Sequence, residues 1–193
     1  MTIYNINLGI GWASSGVEYA QIYRAKLFRS VGLDAKFIFM DFISADNIEH
    51  LTKNIGFKDS EVIWLYQYFT DVEIAPTTYT LAHVLAGFDR EPLEIIRNPE
   101  NKTFRVMFGD NDFVTCYASD MDNELIERAE IVSRGCLIQK EYYTYVKNFV
   151  EYYSPVDCRA RLYQRTWLNE DGSVAYEEII DEVNGKQETQ IYR

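Results

Sequence analysis

From Pro92 onward, apolar and polar residues alternate with a period of two. Short clusters of turn formers break the alternation: Asn98-Pro99-Glu100-Asn101, Gly109-Asp110-Asn111, Gly135, Ser154-Pro155 and Asn169-Glu170-Asp171-Gly172. Successive side chains of a strand point to opposite faces, so this pattern buries its apolar half only as a sheet, and the brief punctuation selects antiparallel hairpins. The predicted strands are Leu93–Arg97, Phe104–Phe108, Phe113–Ser119, Leu125–Ser133, Leu137–Lys140, Tyr142–Tyr153, Cys158–Leu168 and Val174–Ile180. The second half of the chain therefore reads as a β-meander. No repeat period or low-complexity segment accompanies it.

The first forty residues follow a different rule. An apolar strand, Ile3-Tyr4-Asn5-Ile6-Asn7-Leu8, runs into Gly9-Ile10-Gly11-Trp12-Ala13-Ser14-Ser15-Gly16 and then into apolar positions at helical spacing: Val17, Ala20, Ile22, Tyr23, Ala25, Leu27, Phe28 and Val31. Ser14 or Ser15 can cap this helix with Glu18 in its first turn, and Gly32 can close it in a left-handed conformation. Lys36-Phe37-Ile38-Phe39-Met40 is nearly all apolar, as strands buried on both faces of a parallel sheet are. Residues 1–40 thus predict one right-handed βαβ unit. Shorter helices are expected next, capped by Asp46 through Asn54, by Ser60 over Glu61–Phe69, and by Thr78 or Thr80 to near Gly87. The fold class expected is α+β: residues 1–45 a partial Rossmann-like lobe, 46–91 a helical connector and 92–193 an antiparallel β domain.

Composition narrows the function. A net charge of −11 argues against general nucleic-acid binding, which needs a basic surface. No stretch reaches the roughly 18–20 apolar residues of a membrane span, and the N-terminus lacks a basic region followed by an apolar core, so a cytoplasmic location is the expectation. Cys116, Cys136 and Cys158 are widely spaced with no C-x-x-C, which suggests neither a disulfide framework nor a zinc site. Acidic residues crowd Glu170 to Glu188, just after Arg159, Arg161 and Arg165, and both runs suit a solvated sheet face.

Four features invite chemistry. Gly9, Gly11 and Gly16 depart from G-x-G-x-x-G because the third glycine comes two positions late, and Asp41 is a lone acid after the second strand. The physics of the helix start survives that departure, since N–H groups at Gly16, Val17, Glu18 and Tyr19 would point toward an anion; a ligand site and a simple tight turn both remain open. Asp110, Asp112, Asp120 and Asp122 lack the glycine and glutamate spacing of a helical calcium loop, and hairpin turns account for them better. His50 and His83 lie far apart without ligand partners and read as surface or capping residues. On a strand, Arg159, Arg161, Tyr163, Arg165 and Trp167 would alternate onto one face, with Cys158, Ala160, Leu162 and Leu168 on the other. Such a face either stacks in cross-strand pairs or recognises a protein partner or extended polypeptide.

The segments Met1 to Gln21, Ala45 to Thr52, Val62 to Tyr66, Phe113 to Tyr117, Leu162 to Thr166 and Asn169 to Gly172 resemble, in order, the N-terminal part of the glycosyltransferase A subunit of the accessory Sec system of streptococci and related Gram-positive bacteria. That resemblance implies a retaining GT-B enzyme moving N-acetylglucosamine from UDP-N-acetylglucosamine to Ser or Thr of serine-rich repeat adhesins. It implies a non-catalytic B subunit as partner, a first Rossmann lobe interrupted by an added antiparallel β domain, and work in the cytoplasm, with peripheral membrane association as a further expectation. No cofactor and no metal are expected. Gly16, Val17, Glu18 and Tyr19 match the loop that touches UDP, whereas the donor-binding Arg, Lys and paired glutamates of the second lobe are expected downstream of Arg193.

Three consequences follow from that resemblance. The chain alone is expected to be inactive, with Arg159, Arg161, Tyr163, Arg165 and Trp167 as the partner or acceptor face. The competing reading is a non-catalytic binding module for the B subunit or the unfolded serine-rich polypeptide; a nucleotide-binding protein complete in this length is disfavoured, because only two parallel strands are evident. A partial lobe also leaves apolar strand faces open. Either rearrangement against the β domain or self-association through Ile38 and its neighbours is expected.

Overall fold

A computed structural model describes residues 2–9, 16–40, 56–73, 75–157, 159–183 and 186–193. The predicted helix Asp46–Asn54, the caps Ser14 and Ser15, Asp41, His50 and Cys158 lie outside those residues. The chain divides into two compact units, Met1–Ala75 and Pro76–Arg193, the division falling within the stretch read as a connector.

The first unit is a three-stranded parallel sheet in the order β1 (Thr2–Asn7), β2 (Asp34–Phe39), β3 (Val62–Trp64), with helix α1 (Gly16–Ser30) between the first two strands. Ile22 and Ala25 of α1 pack with Ala35, Phe37, Phe39 and Phe57, and Ile3, Val62 and Trp64 close the cluster. Phe37 and Phe39 are fully buried, each worth roughly 1.5–3 kcal/mol over exposure. Gly32 ends α1 as expected: its φ of 70° lets its N–H reach the Arg29 carbonyl while the Leu33 N–H reaches that of Phe28, the paired bonds of a left-handed helix stop.

Two expectations change here. Lys36, Ile38 and Met40 are half-buried, so β2 is covered on one face by α1 rather than on both. The helix expected over Glu61–Phe69 is instead a 3-10 turn (Asp59–Glu61), strand β3 and a second 3-10 turn (Gln67–Phe69). β-Branched Val62 and Ile63 favour the extended backbone, and Phe39 holds Trp64 at 5.0 Å between ring centroids. Glu61 accepts the Lys58 N–H and pairs with Arg29 at 3.2 Å, which fixes the start of β3 against the end of α1.

The second unit is a nine-stranded antiparallel sheet whose spatial order is its sequence order. Its strands are β4 (Glu94–Asn98), β5 (Thr103–Met107), β6 (Phe113–Asp120), β7 (Leu125–Ser133), β8 (Cys136–Tyr143), β9 (Lys147–Val156), β10 (Arg159–Leu168), β11 (Val174–Val183) and β12 (Lys186–Tyr192). The meander is borne out, with two corrections. The fifth and sixth predicted strands divide at Thr144–Val146 rather than after Lys140, and β12 was not foreseen, although Asn184-Gly185 between two alternating runs is a strong hairpin signal. Helix α2 (Leu81–Leu85) covers one face, where Leu81 and Val84 meet Phe104, Val106, Val114, Cys116, Ile126 and Ala129. Thr80 caps it in a reciprocal box with His83, the capping role expected of that histidine.

Paired residues on neighbouring strands share a face, so the register sorts the remaining side chains. Opposite α2, Tyr142, Phe149, Trp167 and Tyr176 form one row across four strands, with centroids 5.1, 4.7 and 4.5 Å apart in turn. Beside it runs Glu130, Lys140, Glu151, Arg165 and Glu178, alternating in sign, with ion pairs of 3.3 Å for Lys140–Glu130, 3.4 Å for Arg165–Glu151 and 3.3 Å for Arg165–Glu178. These rows organise the sheet's far face.

Candidate functional site

The helix start predicted to meet an anion stands at the C-terminal end of the parallel sheet. Asn7 closes β1, Gly16 opens α1, and β2 ends beside β1, for the Met40 N–H donates to the Asn7 carbonyl at 3.1 Å. Gly16 and Val17 are exposed, and a Cβ placed on Gly16 would meet nothing within 4 Å among the described residues, none of which blocks the approach to the backbone. Tyr19 is 54% exposed. Groups at this end of a helix are not consumed by its own i→i−4 ladder, and the dipole places partial positive charge there. The first turn, Gly16, Val17, Glu18 and Tyr19, is one continuous element, and its chemistry suits an anionic, phosphate-like ligand approached through backbone donors. Beneath it lies a polar pair that sequence reasoning missed: Gln21 donates to Asn7 at 2.9 Å with both side chains buried. The sequence sign was two polar residues at inward positions of β1 and α1.

The arginine and aromatic face of β10 is not one face. Leu162 pairs with Tyr153 and Gln164 with Tyr152, so a bulge at Tyr163 inserts one residue and reverses the alternation. Arg159 and Arg161, paired with Val156 and Ser154, lie on the α2 side of the sheet, where Tyr163 meets Tyr152 at 6.3 Å. Arg165 and Trp167, paired with Glu151 and Phe149, lie on the other side. There Arg165 is held between two carboxylates, and Trp167, 2% exposed, stacks on Tyr176 at 4.5 Å with an 8° tilt. Of the five predicted residues, three share an exposed end and two belong to the packed rows.

Next to Tyr163, on the same face, lies a groove of about 610 Å³. Its floor is Val150, Tyr152, Thr166 and Glu177, and its walls are Tyr79, Lys147 and the Glu170-Asp171-Gly172 turn. Gln164 and Thr166 both donate to Glu177, at 2.9 and 3.4 Å. Lys147 pairs with Glu141 at 3.0 Å. Burial raises the Tyr79 and Tyr152 phenols above their ordinary value while the nearby Lys147 cation pulls the other way, so both stay protonated donors at neutral pH. Hydrogen bonds from Ser173 lower the Asp171 carboxyl and keep the turn acidic. The groove thus offers phenols, carboxylates and one ammonium along a β surface, which suits a polar, extended ligand better than a compact apolar one.

Asp112 and Asp120 are spent on turns. Asp112 accepts from the Arg134 N–H at 2.8 Å and the Ser133 hydroxyl at 3.0 Å, and Asp120 from the N–H groups of Asp122 and Asn123. Among the described residues no group of three or more His, Cys, Asp and Glu is arranged to hold a metal ion, and no helix is long and apolar enough to cross a membrane.

Residues 96–193 match the family model of the GtfA extended beta-sheet domain. The chain is 56% identical over 189 residues to the UDP-N-acetylglucosamine–peptide N-acetylglucosaminyltransferase GtfA subunit of Streptococcus pneumoniae serotype 4, covering 97% of this chain and 37% of that protein. It is similar throughout to the crystal structure of the pneumococcal O-GlcNAc transferase GtfA in complex with UDP and GlcNAc, with a TM-score of 0.80, 52% identity and 38% of that chain covered. A crystal structure of a GtfA/B complex matches at a TM-score of 0.78 and 51% identity, again over all of this chain and 39% of the other. The chain therefore spans a little over a third of the curated relative's length, and by the match across β4 to β12 it belongs to the GtfA extended beta-sheet domain family.

Proposed function

We propose that the chain is the N-terminal portion of a GtfA-type glycosyltransferase, which moves N-acetylglucosamine from UDP-N-acetylglucosamine to Ser or Thr of serine-rich repeat polypeptides in the cytoplasm. The observation that carries this reading is the likeness, over the whole chain, to a transferase solved with UDP and GlcNAc. In this reading the first unit begins the Rossmann-like lobe of a GT-B enzyme. Gly16, Val17, Glu18 and Tyr19 supply backbone donors to the diphosphate from one side of the donor site, and the remaining length of such a protein supplies the other side. Donors fixed in advance where charge gathers on the leaving UDP stabilise it without reorganisation. The chain alone then lacks turnover.

The second unit serves binding in this reading. Arg159, Arg161 and Tyr163, with the groove beside them, present hydrogen-bonding and stacking groups to the B subunit or the acceptor polypeptide, with Arg165 and Trp167 supporting that surface from the opposite face. A pure binding module is the competing reading, favoured by the match of the family model to this unit and by the likeness to a GtfA/B complex.

One experiment separates them. The chain is exchanged for the matching segment of the pneumococcal relative, and transfer to a serine-rich peptide is followed with and without Gly16→Val. The transferase reading expects an active chimera whose donor KM rises about tenfold in the variant, the loss of one donor contact, with acceptor KM unchanged. An active chimera indifferent to Gly16→Val leaves only the binding module.

A further inference from the structure

The first unit keeps its most polar interior at the end of the sheet where the donor is proposed to sit. Asn7, the last residue of β1, and Gln21, in the second turn of α1, are 8% and 6% exposed. Gln21 Nε2 donates to Asn7 Oδ1 at 2.9 Å. Asn7 Nδ2 in turn donates to the carbonyls of Asn5 at 3.1 Å and Ile38 at 3.5 Å. One side chain thereby joins α1 to both β1 and β2.

Stability does not account for this arrangement. Gln21 Oε1 and Asn5 Nδ2 are buried with no hydrogen-bond partner among the described residues. Each such atom is destabilising, whereas replacing both members of a buried polar pair by apolar groups of the same shape is close to neutral. What the amide pair supplies, and an apolar pair does not, is a fixed distance and direction between helix and sheet. Two methyl-bearing side chains would let α1 slide by a fraction of an ångström, and oriented donors tolerate only about 0.5 Å of misplacement.

We infer that Asn7 and Gln21 are positioning residues for the donor diphosphate: their hydrogen bond sets the height of α1 on the sheet and so the aim of the N–H groups at Gly16 to Tyr19. This rests on the donor-site reading above, and neither amide touches the nucleotide.

The test uses the active chimera and two variants. Gln21→Met keeps the volume and removes the bond, leaving Asn7 Oδ1 unpartnered. Asn7→Leu with Gln21→Met removes the polar pair altogether. Expected for the single variant are a lower melting temperature and a donor KM raised about tenfold, with kcat and acceptor KM unchanged. In the double variant the melting temperature returns to that of the parent while the donor KM stays high. A donor KM that recovers together with stability, or that never moves, overturns the positioning role. A Gly16→Val variant run alongside distinguishes the two failures: if it raises donor KM while the amide variants do not, only the positioning role falls. If it too is silent, the helix-end reading falls and the positioning role with it.

Discussion

Glu151 accepts from the phenols of Tyr142 and Tyr153, at 3.0 and 2.9 Å, and holds Arg165 at 3.4 Å. Burial first, and then the Glu151 charge and its hydrogen bonds, push both phenols well above their ordinary value of 10.0. The folded state therefore favours the neutral phenol more than the unfolded chain does. Stability from this source is fully present below pH 10 and is lost as pH rises through the raised values. The melting temperature should stay level from neutral pH to about 10 and then fall, with tyrosinate absorbance appearing as the fold is lost. Glu151→Gln removes the charge that helps raise the two phenols, so the fall should still begin near pH 10 but be shallower and end at lower pH; a loss above pH 10 as large as the parent's would refute the assignment. None of this was legible in the sequence. Tyr142, Glu151, Tyr153 and Arg165 lie on three strands, and only the register brings them together on one face.

At the scale of elements, what could be read was what a local pattern determines. Gly32 stops α1, Thr80 and His83 cap α2, and period two marks the meander, because each depends on neighbours a few residues away. The failures came from tertiary context. Val62-Ile63-Trp64 reads as part of a helix because three residues carry little periodicity, and it is pairing with Phe37 to Phe39 that makes them a strand. The β10 bulge broke a correct alternation argument, since one inserted residue exchanges faces for everything beyond it. Only three of the five residues chosen for the recognition face share it as a result. The bulge also makes a prediction. Leu162 and Gln164 already lie on opposite faces, so deleting Tyr163 leaves a regular strand with Arg159 and Arg161 on one side and Arg165 and Trp167 on the other. The deletion should lower the melting temperature by no more than about 5 °C, in line with a cost near 1.5 kcal/mol. A loss of the cooperative transition would show that the bulge itself holds the sheet together.

At the scale of the whole chain the two units differ in how far they finish their own cores. The second unit has α2 over one face of its sheet and the interlocked aromatic and ionic rows on the other. Among the described residues the first unit has one covered face. Tyr4, Ile6 and Leu8, on the side of β1 away from α1, are 61%, 66% and 75% exposed, and Tyr23 and Leu27 on the outer side of α1 are 70% and 59% exposed. Among the described strands β1 is also an edge, the position from which a sheet can take on a further strand. A lobe that continued elsewhere in a longer protein would cover such surfaces, which agrees with a chain spanning about a third of its relative. Separate expression of residues 76–193 and 1–75 tests this asymmetry. The larger piece should be monomeric and melt cooperatively, because it carries a complete core of its own. The smaller should self-associate, since an apolar patch of this kind is rare on a soluble monomer. Replacing Ile6 and Leu8 by glutamate should return it to a monomer by sedimentation while leaving its helix signal in place. A residue 1–75 fragment that is monomeric without those changes would mean that α1 and the three strands are sufficient, and that the open face needs no cover.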